Sequence, residues 1–121
     1  MKILKIEPGA EPVTMELSDS LEAMQELVGG LIQVVYPFAD QAALVCNDEG
    51  KLMGLPFNRA LQDENDRIYD VICGTFFICG VPEDGDSFTD LTPDQLDYYT
   101  HYFRYPEYLL KTPDGLAVLK L

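Results

Sequence analysis

The chain has 121 residues, of which 47% are hydrophobic, and its 21 acidic and 8 basic residues give a formal net charge of −13. This hydrophobic content is typical of a globular protein rather than of a disordered segment, and the length suits one domain. Because a surface with this much negative charge repels phosphates and anionic lipid headgroups, we expect neither direct nucleic-acid binding nor membrane binding.

The apolar segments of the chain are short, and charged residues interrupt them. None approaches the roughly 20 residues of a membrane span. Lys2 and Lys5 lie within the apolar start of the chain, where a secretory signal would be uncharged, so we expect a cytoplasmic protein. Cys46, Cys73 and Cys79 form no C-x-x-C pair, and we therefore expect reduced core thiols rather than a disulfide or a zinc site.

The first half of the chain predicts four strands and one amphipathic helix. Apolar and polar residues alternate over 13–17, as in a half-buried strand, and we expect this strand to pair as a hairpin with the strand at 2–7. Apolar residues at helical spacing over 21–28 predict a helix that Gly29 and Gly30 end. Two more strands are expected at 31–36 and 42–47.

The second half predicts further strands and a second helix. Residues 51–61 are expected to be irregular or to form a short helical turn. Residues 68–81 are apolar, β-branched and aromatic, and they predict buried strands with a bulge or turn at Gly74. Thr92 and Gln95 form a capping box that predicts a helix starting at Pro93. The tail at 108–121 predicts two short strands around a turn.

These elements predict an α+β fold in one small domain, residues 1–121. We expect an antiparallel or mixed sheet of about five to seven strands with two principal short helices. The core of the domain is expected at residues 1–107, and residues 108–121 form a C-terminal extension that suits a hairpin.

Recognisable catalytic and metal-binding patterns are weak in this sequence. His101 lies four residues after Asp97 on the predicted second helix, but no nucleophile accompanies the pair. The acidic segments 63–66 and 83–86 both lack the later ligands of a calcium-binding loop. We therefore predict no catalytic residue, no metal and no cofactor, and we expect a protein that is not an enzyme.

One group of residues offers contacts for a small anionic ligand. Lys51, Asn58 and Arg59 are polar residues in or near a segment that Pro56 stiffens, and the planar guanidinium of Arg59 suits an anion or a carbonyl group. The alternative is structural, with Arg59 holding the acidic loop at 63–66 or closing the sheet by an ion pair. Both interpretations stay open at the level of sequence.

The acidic residues are concentrated in one part of the chain. Between Ala60 and Asp97 ten acidic residues accompany one basic residue, Arg67, which accounts for −9 of the net charge. If the loops of this segment lie side by side, they form an acidic interaction face that could imitate a row of phosphates. A solvated acidic surface without a partner is the alternative. The predicted face consists of Asp63, Glu64, Asp66, Glu83, Asp84, Asp86, Asp90 and Asp94.

Several segments together resemble one known family. They are residues 26–30, 43–51, 55–61 and 69–78, with Asn58-Arg59 and Gly74-Thr75-Phe76-Phe77 as the most specific parts. The chain resembles, over about residues 1–107, the "domain of unknown function 3846" family of small acidic proteins from bacterial plasmids, conjugative elements and phages. The resemblance implies no activity and no catalytic residue. It implies a mobile-element context, in which antagonism of host defence becomes a reasonable role.

These observations lead to one main hypothesis and two alternatives. The main hypothesis is a non-enzymatic interaction protein that binds a host or self protein with a basic surface, in one version by DNA mimicry against host defence. The first alternative is a module that binds a nucleotide-type signal through Arg59. The second is an enzyme with an unrecognised site. Assembly of several copies of the chain stays open.

Overall fold

A computed structural model describes residues 1–85 and 87–121. Those residues form two helices and nine strands, and neither helix is long and apolar enough to cross a membrane. In chain order the elements are β1 (Lys2–Ile6), β2 (Val13–Glu16), α1 (Leu21–Val28), β3 (Ile32–Val35), β4 (Ala42–Asn47), β5 (Phe57–Gln62), β6 (Ile68–Cys73), β7 (Phe76–Gly80), α2 (Pro93–Tyr102), β8 (Glu107–Thr112) and β9 (Gly115–Lys120).

The main sheet contains five antiparallel strands in the order β2-β1-β7-β4-β3. Every residue of β4 and of β7 is buried. Both strands are therefore covered on both faces, which explains why their sequences are continuous apolar runs rather than alternating ones.

The two faces of this sheet are covered by different elements. On one face Ala43, Val45 and Phe77 pack with Met24 and Val28 of α1. The opposite face packs against α2 and the β5–β6 hairpin in a larger cluster. That cluster contains Leu4, Ile6, Leu44, Phe76 and Ile78 from the sheet, Leu61 and Ile72 from the hairpin, and Tyr99 and Phe103 from the α2 region.

The predicted bounds of α1 and the predicted start of α2 are confirmed. The side chain of Ser20 caps α1 by accepting a hydrogen bond from the backbone N–H of Ala23 (3.1 Å), and Gly29 ends α1 in a left-handed conformation with a φ of 82°. At α2 the capping box of Thr92 and Gln95 is complete, since each side chain accepts a hydrogen bond from the other's backbone N–H.

The predicted α+β class is confirmed, but the predictions of about five to seven strands and of a single sheet were wrong. The strands are more numerous than predicted and they divide into three sheets, because β5–β6 and β8–β9 each form a separate two-stranded sheet. Residues 57–62, which fall largely within the segment expected to be irregular or helical, are a strand. Its register shifts between Phe57 and Arg59, and it buries the polar residues Asn58 and Arg59, so the alternation that marks a strand is absent from the sequence.

The predicted C-terminal hairpin is present as β8 and β9, which pair from Glu107 and Lys120 to the turn at Thr112 and Gly115. Its first residue, Glu107, is buried, and its carboxylate accepts a hydrogen bond from the backbone N–H of Ala60 at 2.9 Å. The hairpin is thereby attached to β5.

The cysteines predict a simple chemical test of this packing. Burial raises the pKa of the Cys46 thiol to about 11 and that of the Cys79 thiol to about 12, while Cys73 is only half-buried. Since the thiolate is the reactive form, we expect the folded protein at pH 8 to react with a thiol reagent at Cys73 first and very slowly at the other two positions. Single Cys→Ser variants assign each rate, and unfolding in urea should equalise the rates. Rapid reaction of Cys46 or Cys79 in the folded state would contradict this packing.

Candidate functional site

The side chains of Asn58 and Arg59 occupy the interior of the domain. Both have 0% exposure, although Asn and Arg are mostly surface residues. The Asn58 amide group donates hydrogen bonds to the backbone carbonyls of Ile6 (2.9 Å) and Gly74 (2.8 Å). It thereby connects the end of β1 to the junction between β6 and β7.

The guanidinium of Arg59 makes four hydrogen bonds. Nη1 donates to the backbone carbonyl of Asn58 (3.2 Å) and to its side-chain oxygen (2.8 Å). Nη2 donates to the carbonyls of Ala10 (2.7 Å) and Phe103 (2.9 Å). Phe103 is the C-terminal cap of α2, where a positive charge also interacts favourably with the helix dipole. Arg59 therefore joins β5, the β1–β2 turn and the end of α2.

The electrostatic environment of Arg59 is that of a buried cation without an ion-pair partner among the described residues. Burial lowers its pKa, and the Glu107 carboxylate opposes this effect. Its Nε is the one buried side-chain nitrogen or oxygen that lacks a hydrogen-bond partner in the described part of the chain. The charge is stabilised by carbonyl dipoles, because buried polar groups are costly unless they are hydrogen-bonded.

This geometry supports the structural interpretation of Asn58 and Arg59. Their polar atoms are enclosed and, apart from Arg59 Nε, hydrogen-bonded to the protein itself, so neither side chain offers accessible surface to an anion. Lys51 lies elsewhere, on the surface, where its Nζ is 2.6 Å from a carboxylate oxygen of Asp70. The described contacts do not join Lys51 to Arg59, and an anion-binding role for the three residues stays a prediction without geometric support.

Lys51 lines a cavity of about 240 Å³ between the β4–β5 loop and β6. Asp48, Glu49 and Asp70 also line it, so carboxylates outnumber the single cation. Cys46 and Cys73 are also part of its lining, and burial raises the pKa of both thiols, that of Cys46 to about 11. The cavity therefore favours neither anion binding nor a thiolate at neutral pH.

The residues of the predicted acidic face lie on several elements. Asp63 and Glu64 are in the β5–β6 turn, and the adjoining Asp66 lines a cleft against Leu116 of β9. Asp94 is instead in the first turn of α2. The described contacts do not join the β5–β6 turn to the segment that follows β7, and one continuous face stays a prediction. The remaining members are Glu83 and Asp84 after β7, Asp90 before α2, and Asp86, which lies outside the described residues.

Two of these carboxylates have structural roles. Asp63 accepts hydrogen bonds from the backbone N–H groups of Asn65 and Arg67, both at 2.9 Å, and so forms the β5–β6 turn. Asp90 accepts a hydrogen bond from the backbone N–H of Lys2 at 2.7 Å. Glu64, Glu83 and Asp94 are exposed, so they are better placed to meet a partner.

A cluster of aromatic side chains, which was not predicted from the sequence, lies between α2 and the β3–β4 loop. Phe38 contacts Tyr99 (ring centroids 4.6 Å apart) and lies 6.1 Å from Tyr102, edge to face. Tyr98 is 6.1 Å from Tyr102, one helical turn away, and the two rings are inclined by 28°. These residues surround a cavity of about 430 Å³, which we call the tyrosine pocket, lined by Pro37, Phe38, Ala39, Asp40, Tyr98, Tyr99 and Tyr102.

Asp40 supplies the charge of the tyrosine pocket. Its carboxylate accepts hydrogen bonds from the Tyr99 hydroxyl (2.7 Å), from Gln95 Nε2 (3.2 Å) and from the backbone N–H of Gln41 (2.7 Å). The bond from Tyr99 is the main reason why the pKa of Asp40 is lowered. Desolvation raises the pKa of Tyr99, and the same hydrogen bond adds to the effect. Asp40 is therefore ionised and held in a fixed position at neutral pH.

A pattern in the sequence could have indicated the pocket. Tyr98 and Tyr102 are four residues apart on the face of α2 that should be polar, because Tyr99 and Phe103 form the buried stripe. Asp40 could not have been found in this way, since its contact with Tyr99 spans 59 residues of sequence.

The Asp97–His101 pair lies on the exposed surface of α2. His101 Nδ1 lies 2.8 Å from the backbone carbonyl of Asp97 and 3.6 Å from its carboxylate, and both side chains are exposed. Within the described part of the chain, His, Cys, Asp and Glu side chains form no group of three suited to a metal ion.

The interior position of Arg59 predicts a large effect of its substitution on stability. Arg59→Met removes the four hydrogen bonds and leaves buried carbonyls without a donor, so we expect a loss of about 3–5 kcal/mol in the free energy of unfolding. Arg67→Met is the matched control, because Arg67 is an exposed arginine in the β5–β6 turn; its effect should stay within about 0.5 kcal/mol. Urea denaturation measures both values. Equal stabilities of the two variants would contradict the structural role of Arg59.

Comparison with known proteins supports the resemblance found in the sequence. The family model described as Domain of unknown function (DUF3846) matches residues 1–104 and thus ends before β8. No curated protein and no solved structure matches the chain. Since the matched region covers most of its length, the chain belongs to the DUF3846 family.

Proposed function

We propose that this protein is a non-enzymatic interaction protein that binds a basic surface on another protein. The observation that carries the proposal is that half of the protein's eight lysines and arginines are buried or paired with its own carboxylates. Arg59 is buried, and Lys5, Lys51 and Arg104 lie within ion-pair distance of Glu7 (3.0 Å), Asp70 (2.6 Å) and Glu11 (3.9 Å). The other four cations, Lys2, Arg67, Lys111 and Lys120, are too few to balance the remaining carboxylates of a chain with 21 acidic residues, and a basic partner would provide that balance.

Exposed tyrosines support a protein partner in particular. Tyrosine is enriched in protein–protein interfaces because it combines a large apolar area with a polar hydroxyl and little rotamer freedom. Six of the seven tyrosines are exposed in this structure, and only Tyr99 is buried. The exposed ones are Tyr36, Tyr69, Tyr98, Tyr102, Tyr105 and Tyr108.

The finer form of the proposal is DNA mimicry. In this form the chain is encoded by a mobile element and antagonises host defence. Its carboxylates occupy the DNA-binding groove of a host protein. The charge supports this form, because a groove that binds phosphates also attracts carboxylates. Cytoplasmic location belongs to the same proposal.

The small-ligand alternative lacks an accessible cation at its centre. Its main contact, Arg59, is enclosed by the backbone carbonyls that it binds, and Lys51 is paired with Asp70. We therefore carry forward the interaction protein alone.

Neutralising exposed carboxylates tests the proposal. The triple variant Glu64→Gln, Glu83→Gln, Asp94→Asn spares Asp63 and Asp90, whose hydrogen bonds hold the backbone. Purified restriction endonucleases and non-specific nucleases serve as probes, and inhibition of DNA cleavage is measured at increasing salt. We expect the wild-type protein to inhibit at least one of them and the triple variant to inhibit about tenfold less, with a weaker dependence on salt.

A second triple variant controls for net charge. Asp19→Asn, Glu26→Gln, Asp114→Asn removes the same three charges from other exposed positions and should inhibit nearly as well as the wild-type protein. Equal inhibition by the two triple variants would contradict a role for the predicted acidic face. Absence of inhibition of every probe enzyme would contradict DNA mimicry.

A further inference from the structure

We propose that the tyrosine pocket is the site that takes an arginine side chain of the basic partner. The inference rests on the proposed function in one respect, the basic character of the partner. The pocket itself is defined by geometry: a cavity of about 430 Å³, open to solvent, with aromatic rings on its walls and the carboxylate of Asp40 at its edge.

The aromatic walls present accessible ring surface. Tyr98 is 59% exposed and Tyr102 is 50% exposed, although both rings belong to one contiguous cluster with the half-buried Phe38. A guanidinium placed within about 6 Å of an aromatic ring centroid is attracted by the negative face of the ring. The chain already contains such a contact, because the guanidinium carbon of Arg104 lies 5.6 Å from the ring centroid of Tyr105.

Asp40 supplies the complementary charge. Three hydrogen bonds from Gln41, Gln95 and Tyr99 reach its carboxylate, whose two oxygens can accept about four. In the described part of the chain no lysine, arginine or histidine lies within 4 Å of it. Asp40 therefore combines an uncompensated negative charge with room for one further N–H donor.

Arginine suits this combination better than the other candidates. Its planar guanidinium stacks on an aromatic ring while one N–H donates to a carboxylate, whereas the compact and strongly hydrated ammonium of lysine does not stack. An apolar side chain would cover Asp40 without providing a donor, which is unfavourable.

Another copy of this chain is a poor occupant of the pocket. Two copies of net charge −13 repel each other. Of the three arginines, Arg59 is buried and Arg104 lies near Glu11 and Tyr105 of its own chain. Among the described residues only Arg67 is an exposed arginine without a contact of this kind. The repulsion between two copies favours an arginine from a different protein.

The pocket is organised before any ligand arrives. Gln95 Nε2 donates to Asp40 and also to the backbone carbonyl of Gln41 (3.1 Å), which fixes the β3–β4 loop against the first turn of α2. At the other end of α2, the backbone carbonyl of Phe103 accepts a hydrogen bond from Arg59, which anchors the helix. Preformed side chains lower the entropic cost of binding.

Peptides that differ in one side chain test the inference. The probes are glycine-serine peptides that contain either two arginines, two lysines or two citrullines, and binding is followed through the amide and tyrosine-ring NMR signals of the full chain. We expect the arginine peptide to shift the signals of Asp40, Tyr98 and Tyr102 and to bind about threefold to tenfold more tightly than the lysine peptide. The citrulline peptide has the same shape without the charge, and it should not bind measurably.

Two variants locate the site. Asp40→Asn removes the charge and retains an oxygen that can accept from Tyr99, and Tyr98→Ala removes an exposed ring; each should weaken binding of the arginine peptide about fivefold or more. Asp114→Asn and Tyr108→Ala make the same changes on the β8–β9 hairpin and should leave binding unchanged. Thermal unfolding checks each fold, and since Tyr98 is exposed, its variant keeps the test decisive even if Asp40→Asn is unstable.

The outcomes separate this inference from the proposed function. Equal binding of the arginine and lysine peptides, or unchanged binding by Tyr98→Ala, would overturn the inference. If a probe nuclease is inhibited equally by the wild-type protein, by Asp40→Asn and by Tyr98→Ala, the proposed function stands and the arginine pocket fails. If the arginine peptide binds the pocket but no basic protein binds the chain, the pocket stands and the proposed function fails.

Sedimentation tests the remaining occupant, a second copy of the chain. If the chain self-associates and Tyr98→Ala abolishes the self-association, the pocket takes an arginine of a second copy and not of a different protein.

Discussion

Five backbone carbonyls converge on the two adjacent side chains of Asn58 and Arg59, and they belong to β1, the β1–β2 turn, β5, the β6–β7 junction and the end of α2. These segments do not all pair with one another in a sheet, so their carbonyls need donors from side chains. Arg59 provides four hydrogen bonds from one rigid group, and the side chain of Asn58 provides two while also accepting one from Arg59. Without the hydrogen bonds of Asn58 and Arg59, only apolar packing would join the β5–β6 hairpin and the end of α2 to the main sheet in this part of the core.

The proposed binding surface depends on the same contact. Arg59 fixes the C-terminal end of α2, while Gln95 and Tyr99 fix its beginning and middle to Asp40. Because the helix is held along its length, Tyr99 and Phe103 enter the core and the neighbouring Tyr98 and Tyr102 face outward beside a charged carboxylate. The net negative charge of the surface is the second feature of the proposed binding surface. Half of the eight cations are buried or lie in ion pairs within the chain, and the carboxylates are far more numerous. An acidic surface with exposed aromatic rings is chemically complementary to arginine-containing proteins.

Sequence patterns predicted most local elements but not their assembly. Glycine at position 29 and the capping box at Thr92 place the helix boundaries, because these effects act within a few residues. Strand β5 was missed because its interior residues Asn58 and Arg59 are polar, and their acceptors lie up to 52 residues away in the sequence. Asp40 was missed for the same reason, since its partner Tyr99 on α2 lies 59 residues away in the sequence. The number of sheets was missed because β5–β6 and β8–β9 are local hairpins, and whether a hairpin joins the main sheet depends on long-range packing, which single-strand patterns do not encode.

We infer that Arg59 is a structural cation held by backbone carbonyls rather than a ligand contact. Nitrogen-15 NMR of its guanidinium tests this role directly. A group bound at four N–H positions should rotate slowly, giving separate Nη signals whose hydrogens exchange slowly with water and do not shift when phosphate or a nucleotide is added. A single averaged Nη signal that exchanges rapidly and shifts with phosphate would contradict the account, because it would place Arg59 within reach of solvent and anions.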